Sequence, residues 1–250
     1  MKSILFISVV AIELLSLDAN AQGRFYRSGG GEVILSGADV NFNDVEVETN
    51  MRFTLFFHVQ QHLNVDLTEF LGLYTGIAIR NVGLITEDLY QNVGFSNIDD
   101  QHPNWNKSTK IKRRSYSLGF PLAVKLGAIK KHYFIYAGGE YEWMFHYKQK
   151  LFIDDNKTKF KEWASDRVNP WIPSVFAGVQ FPGGLNLKLK YYLDDFLNTD
   201  FMGQDFGQDV DYSQFQSTGI WYISMAIVIN KQQLKKMLES QNFEKSAYRY

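Results

Sequence analysis

Residues 115–148 set the pattern for the chain: apolar side chains fall at every second position in two long runs joined by a short basic turn. In the first run Tyr116, Leu118, Phe120, Leu122, Val124 and Leu126 share a face, opposite Ser115, Ser117, Gly119, Pro121, Ala123 and Lys125. In the second, Tyr133, Ile135, Ala137, Tyr141, Trp143, Phe145 and Tyr147 share a face, opposite Gly138, Glu140, Glu142, His146 and Lys148. A period of two marks a β-strand, whose successive side chains point to opposite faces. Charges in mid-strand behind an apolar face suit a membrane barrel, with lipid outside and a polar interior.

The same period predicts six further strands. Residues 32–40 form a weakly alternating first strand after a loose Gly-rich lead-in at 22–31. Residues 51–60 form a clean second, and a short connection follows at 62–66. A third covers 68–84 and slips in pattern near Val82, as at a bulge. A sixth covers 169–181 and ends in the turn signal Pro182-Gly183-Gly184. A seventh alternates Leu185, Leu187, Leu189, Tyr191 and Leu193 with Asn186, Lys188, Lys190, Tyr192 and Asp194. The eighth covers 217–230, with Trp221, Ile223, Met225, Ile227 and Ile229 facing out.

Between these strands, long polar stretches at 41–50, 87–109, 152–167 and 198–216 alternate with short ones at 62–66, 129–131 and 182–184. Long outer loops, short periplasmic turns and an even strand number are the outer-membrane arrangement. The fold expected is therefore all-β: an eight-stranded antiparallel up-and-down transmembrane barrel over 22–230. A lipocalin-like soluble barrel would carry its apolar residues inside, whereas here the inward set is charged: Arg52, Arg80, Lys125, Glu140, Glu142, Lys188, Lys190 and Asp194.

The N-terminus adds a destination. Lys2, a mainly apolar run over 4–17 and Ala19-Asn20-Ala21 read as a signal peptide of residues 1–21. Residues 231–250 read as a charged periplasmic tail, with a short helix over 232–240. Removing Lys2, Glu13 and Asp18 leaves 25 basic and 25 acidic residues, so no charge surplus points to nucleic acid. The absence of cysteine excludes disulfides, thiolate metal sites and a cysteine nucleophile. Aromatics at 16% fit strands and interfacial girdles.

The stretch SLGFPLAVKLG at 117–127, YAGGEYEWMF at 136–145 and YTGIAIRNVG at 74–83 resemble the outer membrane β-barrel family of Bacteroidetes-type bacteria, similar to small OmpA/OmpX-like and PorT-like barrels. The resemblance implies a scaffold in the outer membrane of a Gram-negative bacterium and assigns no catalytic residue. Such barrels often end on an aromatic residue of the last strand, whereas here about twenty residues follow Asn230 before Tyr250.

Candidate chemistry is sparse. An eight-stranded barrel is just wide enough for its own side chains, and the inward charges are expected to pair as a plug. The alternatives are a narrow channel or an accessory of transport or secretion, and then an enzyme built on Ser165, His146 and Asp166. His58 and His62, four apart in a strand and turn, do not make a helical metal pair. Asp200, Asp205, Asp209 and Asp211 lack the EF-hand spacing. Lys110, Lys112, Arg113 and Arg114 form a basic cluster at the outer rim, read either as contacts to lipopolysaccharide phosphates or as ordinary rim charges. The reading is a monomeric scaffold or surface-binding protein without enzymatic activity, cofactor or metal. Its partners are outer-membrane lipid, lipopolysaccharide and a protein met through the outer loops.

Overall fold

The computed structural model describes residues 25–55, 58–92, 95, 101–154, 156–231 and 234. The signal-peptide reading and the tail helix lie outside them. The strands are β1 (Phe25–Phe42), β2 (Val45–Glu46), β3 (Arg52–Thr54), β4 (Val59–Asp66), β5 (Leu71–Leu89), β6 (Ser108–Ala128), β7 (Tyr133–Ile153), β8 (Asn156–Trp163), β9 (Trp171–Gln180), β10 (Leu185–Tyr192), β11 (Met202–Asp205), β12 (Gln208–Asp211) and β13 (Phe215–Asn230).

The wall runs β1, β4, β5, β6, β7, β9, β10, β13, all antiparallel. It closes because β13 pairs back onto β1, from Ser28 opposite Asn230 to Phe42 opposite Phe215. β3 continues the β4 stave upward along β1. Eight staves thus form a ring, and closure satisfies the backbone groups that hydrocarbon cannot. Leu67–Phe70, Ile129–Lys131 and the Pro182 turn link the staves at one end, where β1 also begins and β13 ends. Gly183 and Gly184 have φ of 86° and 99°, which a side chain rarely adopts.

The apolar stripe faces outward all round the ring. Leu71, Leu126, Ile135, Val179, Leu187, Met225 and Val33 follow one another across six ladders as one hoop. Leu122 is 64% exposed and Leu189 55%, values that only a hydrocarbon surround makes favourable.

Several boundaries differ from the sequence reading. The Gly-rich lead-in is strand: β1 begins at Phe25, and Gly30 fits because a Cβ there would overlap the Ile227 carbonyl. Residues 62–66 are strand as well, so the turn comes later. The expected loop at 152–167 is mostly β8, a hairpin partner of β7 standing above the ring. In β7 the register shifts where Tyr116 pairs with His146 but Ser117 with Met144. That extra residue flips the face, so Tyr147 points inward, fully buried, while His146 and Lys148 point out.

Of the expected second strand at 51–60, β3 covers Arg52–Thr54 and β4 begins at Val59, while residues 56–57 lie outside the described residues. β5 pairs with β4 up to Ile79 opposite Val59. Above that, its edge meets described backbone again only at Ile85, whose carbonyl accepts from Asn50, and at the Thr49–Thr86 bridge. Side chains bond β5 between those points. The Asn81 N–H donates to His58 Nδ1 at 3.4 Å, and the Asn81 carbonyl accepts from Arg52 at 2.8 Å.

Candidate functional site

The barrel interior has three tiers. At mid-height three carboxylates meet three cations: Glu32 from β1, Glu140 and Glu142 from β7, Arg80 from β5, and Lys188 and Lys190 from β10. Arg80 Nε lies 2.5 Å from Glu32, and its NH1 ion-pairs with Glu140. Lys188 lies 2.8 Å from Glu32, and Lys190 lies 2.7 Å from Glu140 and also bonds Glu142. Ser224 donates to Glu32 at 3.0 Å and Tyr192 to Glu142 at 2.8 Å. All six charged groups are 5% exposed or less. Gly119 gives the cluster room, since a Cβ there would overlap the Glu140 carboxylate. Charges this deep persist only when paired and hydrogen-bonded.

Toward the short-turn end lies an aromatic and amide tier. Tyr136 donates to Asn186 at 2.7 Å, and Lys125 reaches Asp66 at 2.7 Å and Asn64 at 3.0 Å. A cavity of about 30 Å³ sits here, between His62, Tyr74, Tyr136 and Lys188. It has room for roughly one or two waters. Toward the long-loop end the interior holds a large apolar cluster, with Arg113, Thr86, Thr109 and Gln149 buried at the same end. Val40, Leu84, Ile111, Met144, Tyr147, Leu197, Tyr212 and Ile220 pack as one buried cluster, which loop residues join. Arg167 seals its top, stacked on Phe160 and Phe201 and bonded to Asp205 at 2.7 Å. Burial works against its charge, but the Asp205 hydrogen bond and the Asp205 and Glu162 carboxylates hold its pKa above the usual guanidinium value.

The structure places the expected inward residues in different settings. Arg80, Glu140, Glu142, Lys188 and Lys190 are brought together at mid-height. Lys125 lies apart, in the short-turn tier. Arg52 bonds Asn81 and is half-buried. Asp194 is a correction: it follows β10 in a bend and is exposed, because the alternation ends at Tyr192. Glu32 was missed, since the weak alternation of β1 hid its inward face; its position two before Ile34 was the available signal.

The rim cluster also needs correction. Arg113 faces inward at 1% exposure and bonds Thr86, because it has the opposite strand parity to Lys110, Lys112 and Arg114. The other three face outward and meet cations the sequence reading left out. Arg114, Lys148 and Lys161 form one cross-strand row on β6, β7 and β8. Lys112, Lys150 and Lys159 form the row above it.

The enzyme constellation is not assembled. Ser165 donates to Glu162 at 2.6 Å, whereas His146 packs edge-on against Trp163. No hydrogen bond joins Ser165, His146 and Asp166 among the described residues. His58 accepts from the Asn81 N–H and His62 stacks on Tyr74. Asp205, Asp209 and Asp211 are each engaged by neighbouring side chains. Among the described residues no group of three His, Cys, Asp or Glu could hold a metal ion.

A closed ring with an outward apolar hoop, a polar mid-interior, short turns at one end and long loops at the other is an integral membrane β-barrel of the outer-membrane type. The loop end is then extracellular and the short-turn end periplasmic. Neither a protein-family model nor a curated protein matches the chain. Among solved structures it is similar to Ail, the attachment invasion locus protein of Yersinia pestis, in complex with the heparin analogue sucrose octasulfate, at 9% identity over 82% of this chain and 99% of that one, TM-score 0.33. It is also similar to Neisserial surface protein A and to the outer membrane protein OprG of Pseudomonas aeruginosa. Each is 10% identical over 82% of this chain and 96% of that one, TM-score 0.35. At these scores the likeness adds nothing to the ladder and the hoop, which define the class by themselves.

Proposed function

We propose that this protein is a closed, non-conducting, monomeric outer-membrane scaffold of a Gram-negative bacterium, with a structural or surface-binding role and no enzymatic activity. The observation that carries this reading is the stacking of two seals on one axis. The charge-balanced network fills mid-height, and the apolar cluster under Arg167 fills the extracellular half. An ion would have to break the first and wet the second. The binding surface is the long-loop end, where a protein partner would meet the loops. The stretches at 117–127 and 136–145 support a place among Bacteroidetes-type outer membrane β-barrels.

Planar-bilayer recording tests the closure. The expected trace shows no unitary steps in molar salt. Reproducible steps from protein that keeps its folded, faster-running gel band would establish a channel instead.

A further inference from the structure

The outward face above the aromatic belt carries charge of one sign. Tyr116, His146 and Trp163 form the last ring-bearing row on β6, β7 and β8. The row of Arg114, Lys148 and Lys161 begins two residues higher, about 7 Å up the strands. Above the second row, Lys110 and Lys157 flank Phe152. Cations therefore stand directly opposite cations in four places: Arg114–Lys148, Lys148–Lys161, Lys112–Lys150 and Lys150–Lys159. Such pairs are destabilising in a sheet. Beside them Glu87 pairs with Lys110 at 2.5 Å, and Asp154 with Lys107 at 3.1 Å.

Beside this lattice the outer surface sinks into a groove of about 330 Å³. One side is apolar, from Met51, Phe53 and Ile85. The other is cationic, from Arg52, Lys112, Arg114 and Lys150. Two polar atoms in its lining, Thr54 Oγ1 and Arg114 Nε, are buried and have no hydrogen-bond partner among the described residues.

We propose that this groove and the adjoining lattice hold the phosphate-bearing headgroup of an outer-leaflet glycolipid, lipopolysaccharide in chemical class, with its acyl chains lying down the apolar staves below. The site opens sideways at headgroup depth, directly above the aromatic belt. Its floor is half apolar, which a soluble polyanion has no use for. Guanidinium and ammonium groups from three strands supply several donors to one phosphate, the arrangement that suits a dense, fixed anion. The proposal rests on the membrane-barrel reading and does not depend on the barrel being closed, so a conducting barrel would leave it standing.

The detergent-purified protein, reconstituted in phosphatidylcholine nanodiscs, is offered bisphosphorylated lipid A, the same lipid with its phosphates removed, and soluble polyphosphate. Retained lipid is counted by native mass spectrometry. The bisphosphorylated form is expected to be retained at least ~10-fold better than the dephosphorylated one. The triple variant Lys112→Gln, Arg114→Gln, Lys150→Gln is expected to lose that preference, and Lys107→Gln with Lys131→Gln to keep it. Equal retention of the two lipids by the native protein would overturn the proposal, even if the triple variant does not fold. Tighter binding of soluble polyphosphate than of the lipid would overturn the lipid source and make the lattice a polyanion site.

Discussion

Two sets of charges in this protein look alike in sequence and are opposite in physics. Lys188 and Lys190 alternate with leucines, as Lys148 and Lys150 alternate with Gln149 and Leu151, and Lys157, Lys159 and Lys161 with Thr158 and Phe160. The first pair points into the barrel and finds Glu32, Glu140 and Glu142. The second set points outward above the belt, where Lys148, Lys150, Lys159 and Lys161 face other cations. A network that is charge-balanced inside needs nothing further. A lattice of one sign outside is incomplete, and its missing anions must come from the surroundings.

The strongest way to break the comparison is to unpair the inner set. Arg80→Ala leaves the Glu32 and Glu140 carboxylates buried beside too few cations. Breaking a buried pair from one side costs about 3–5 kcal/mol. Urea unfolding in detergent, followed by the loss of the heat-modifiable band, should show a stability loss of that size. A loss below ~1 kcal/mol, the range of exposed pairs, would mean that water reaches the network and that the mid-height seal is not dry.

The sequence made some of this legible. The outward stripe of β6, β9, β10 and β13 follows from a period of two, because lipid on one face imposes a strict alternation. Six of the eight staves could be placed from that pattern and the loop rhythm. The rest depends on contacts that alternation does not encode. The flip at Tyr147 comes from one extra residue in a ladder. Within the cleanest-looking run, the side chains of Arg52 and His58 bond the backbone of Asn81. The lattice is assembled from three strands, one of which lies in a stretch that reads as loop because its outward residues are lysines. Glu32 meets Lys188 across 156 positions, and only the closure of β1 on β13 brings them together.

Relieving the outer set should have the opposite sign. Lys150 faces Lys112 on one side and Lys159 on the other. In a zwitterionic detergent without anionic lipid, Lys150→Gln should stabilise the barrel by about 0.2–1 kcal/mol. The gain should shrink as salt rises from 10 mM to 1 M, where the Debye length falls from about 30 Å to about 3 Å. A variant less stable than the native protein at low salt would show that Lys150 has a partner and that the lattice is not frustrated.

The smallest effect lies at the margin between the two sets, where Glu87 gives the lattice a pairing of the inner kind. The Lys110 hydrogen bond, against some opposition from burial, and then the Asn50 hydrogen bond and the Lys110 and Lys112 charges hold the Glu87 carboxyl below its usual pKa. The sign follows directly. A carboxyl whose folded pKa is depressed contributes its stability above the unfolded value, and that contribution is lost as pH falls through the folded one. An NMR titration of the Glu87 side chain should give a midpoint below the usual carboxylate range, and Lys110→Gln should move it upward. An unmoved midpoint would mean that Glu87 is held by Asn50 rather than by the cation. Lys110 would then stand uncompensated with the other cations, and the comparison between a balanced interior and an unbalanced rim would hold without exception.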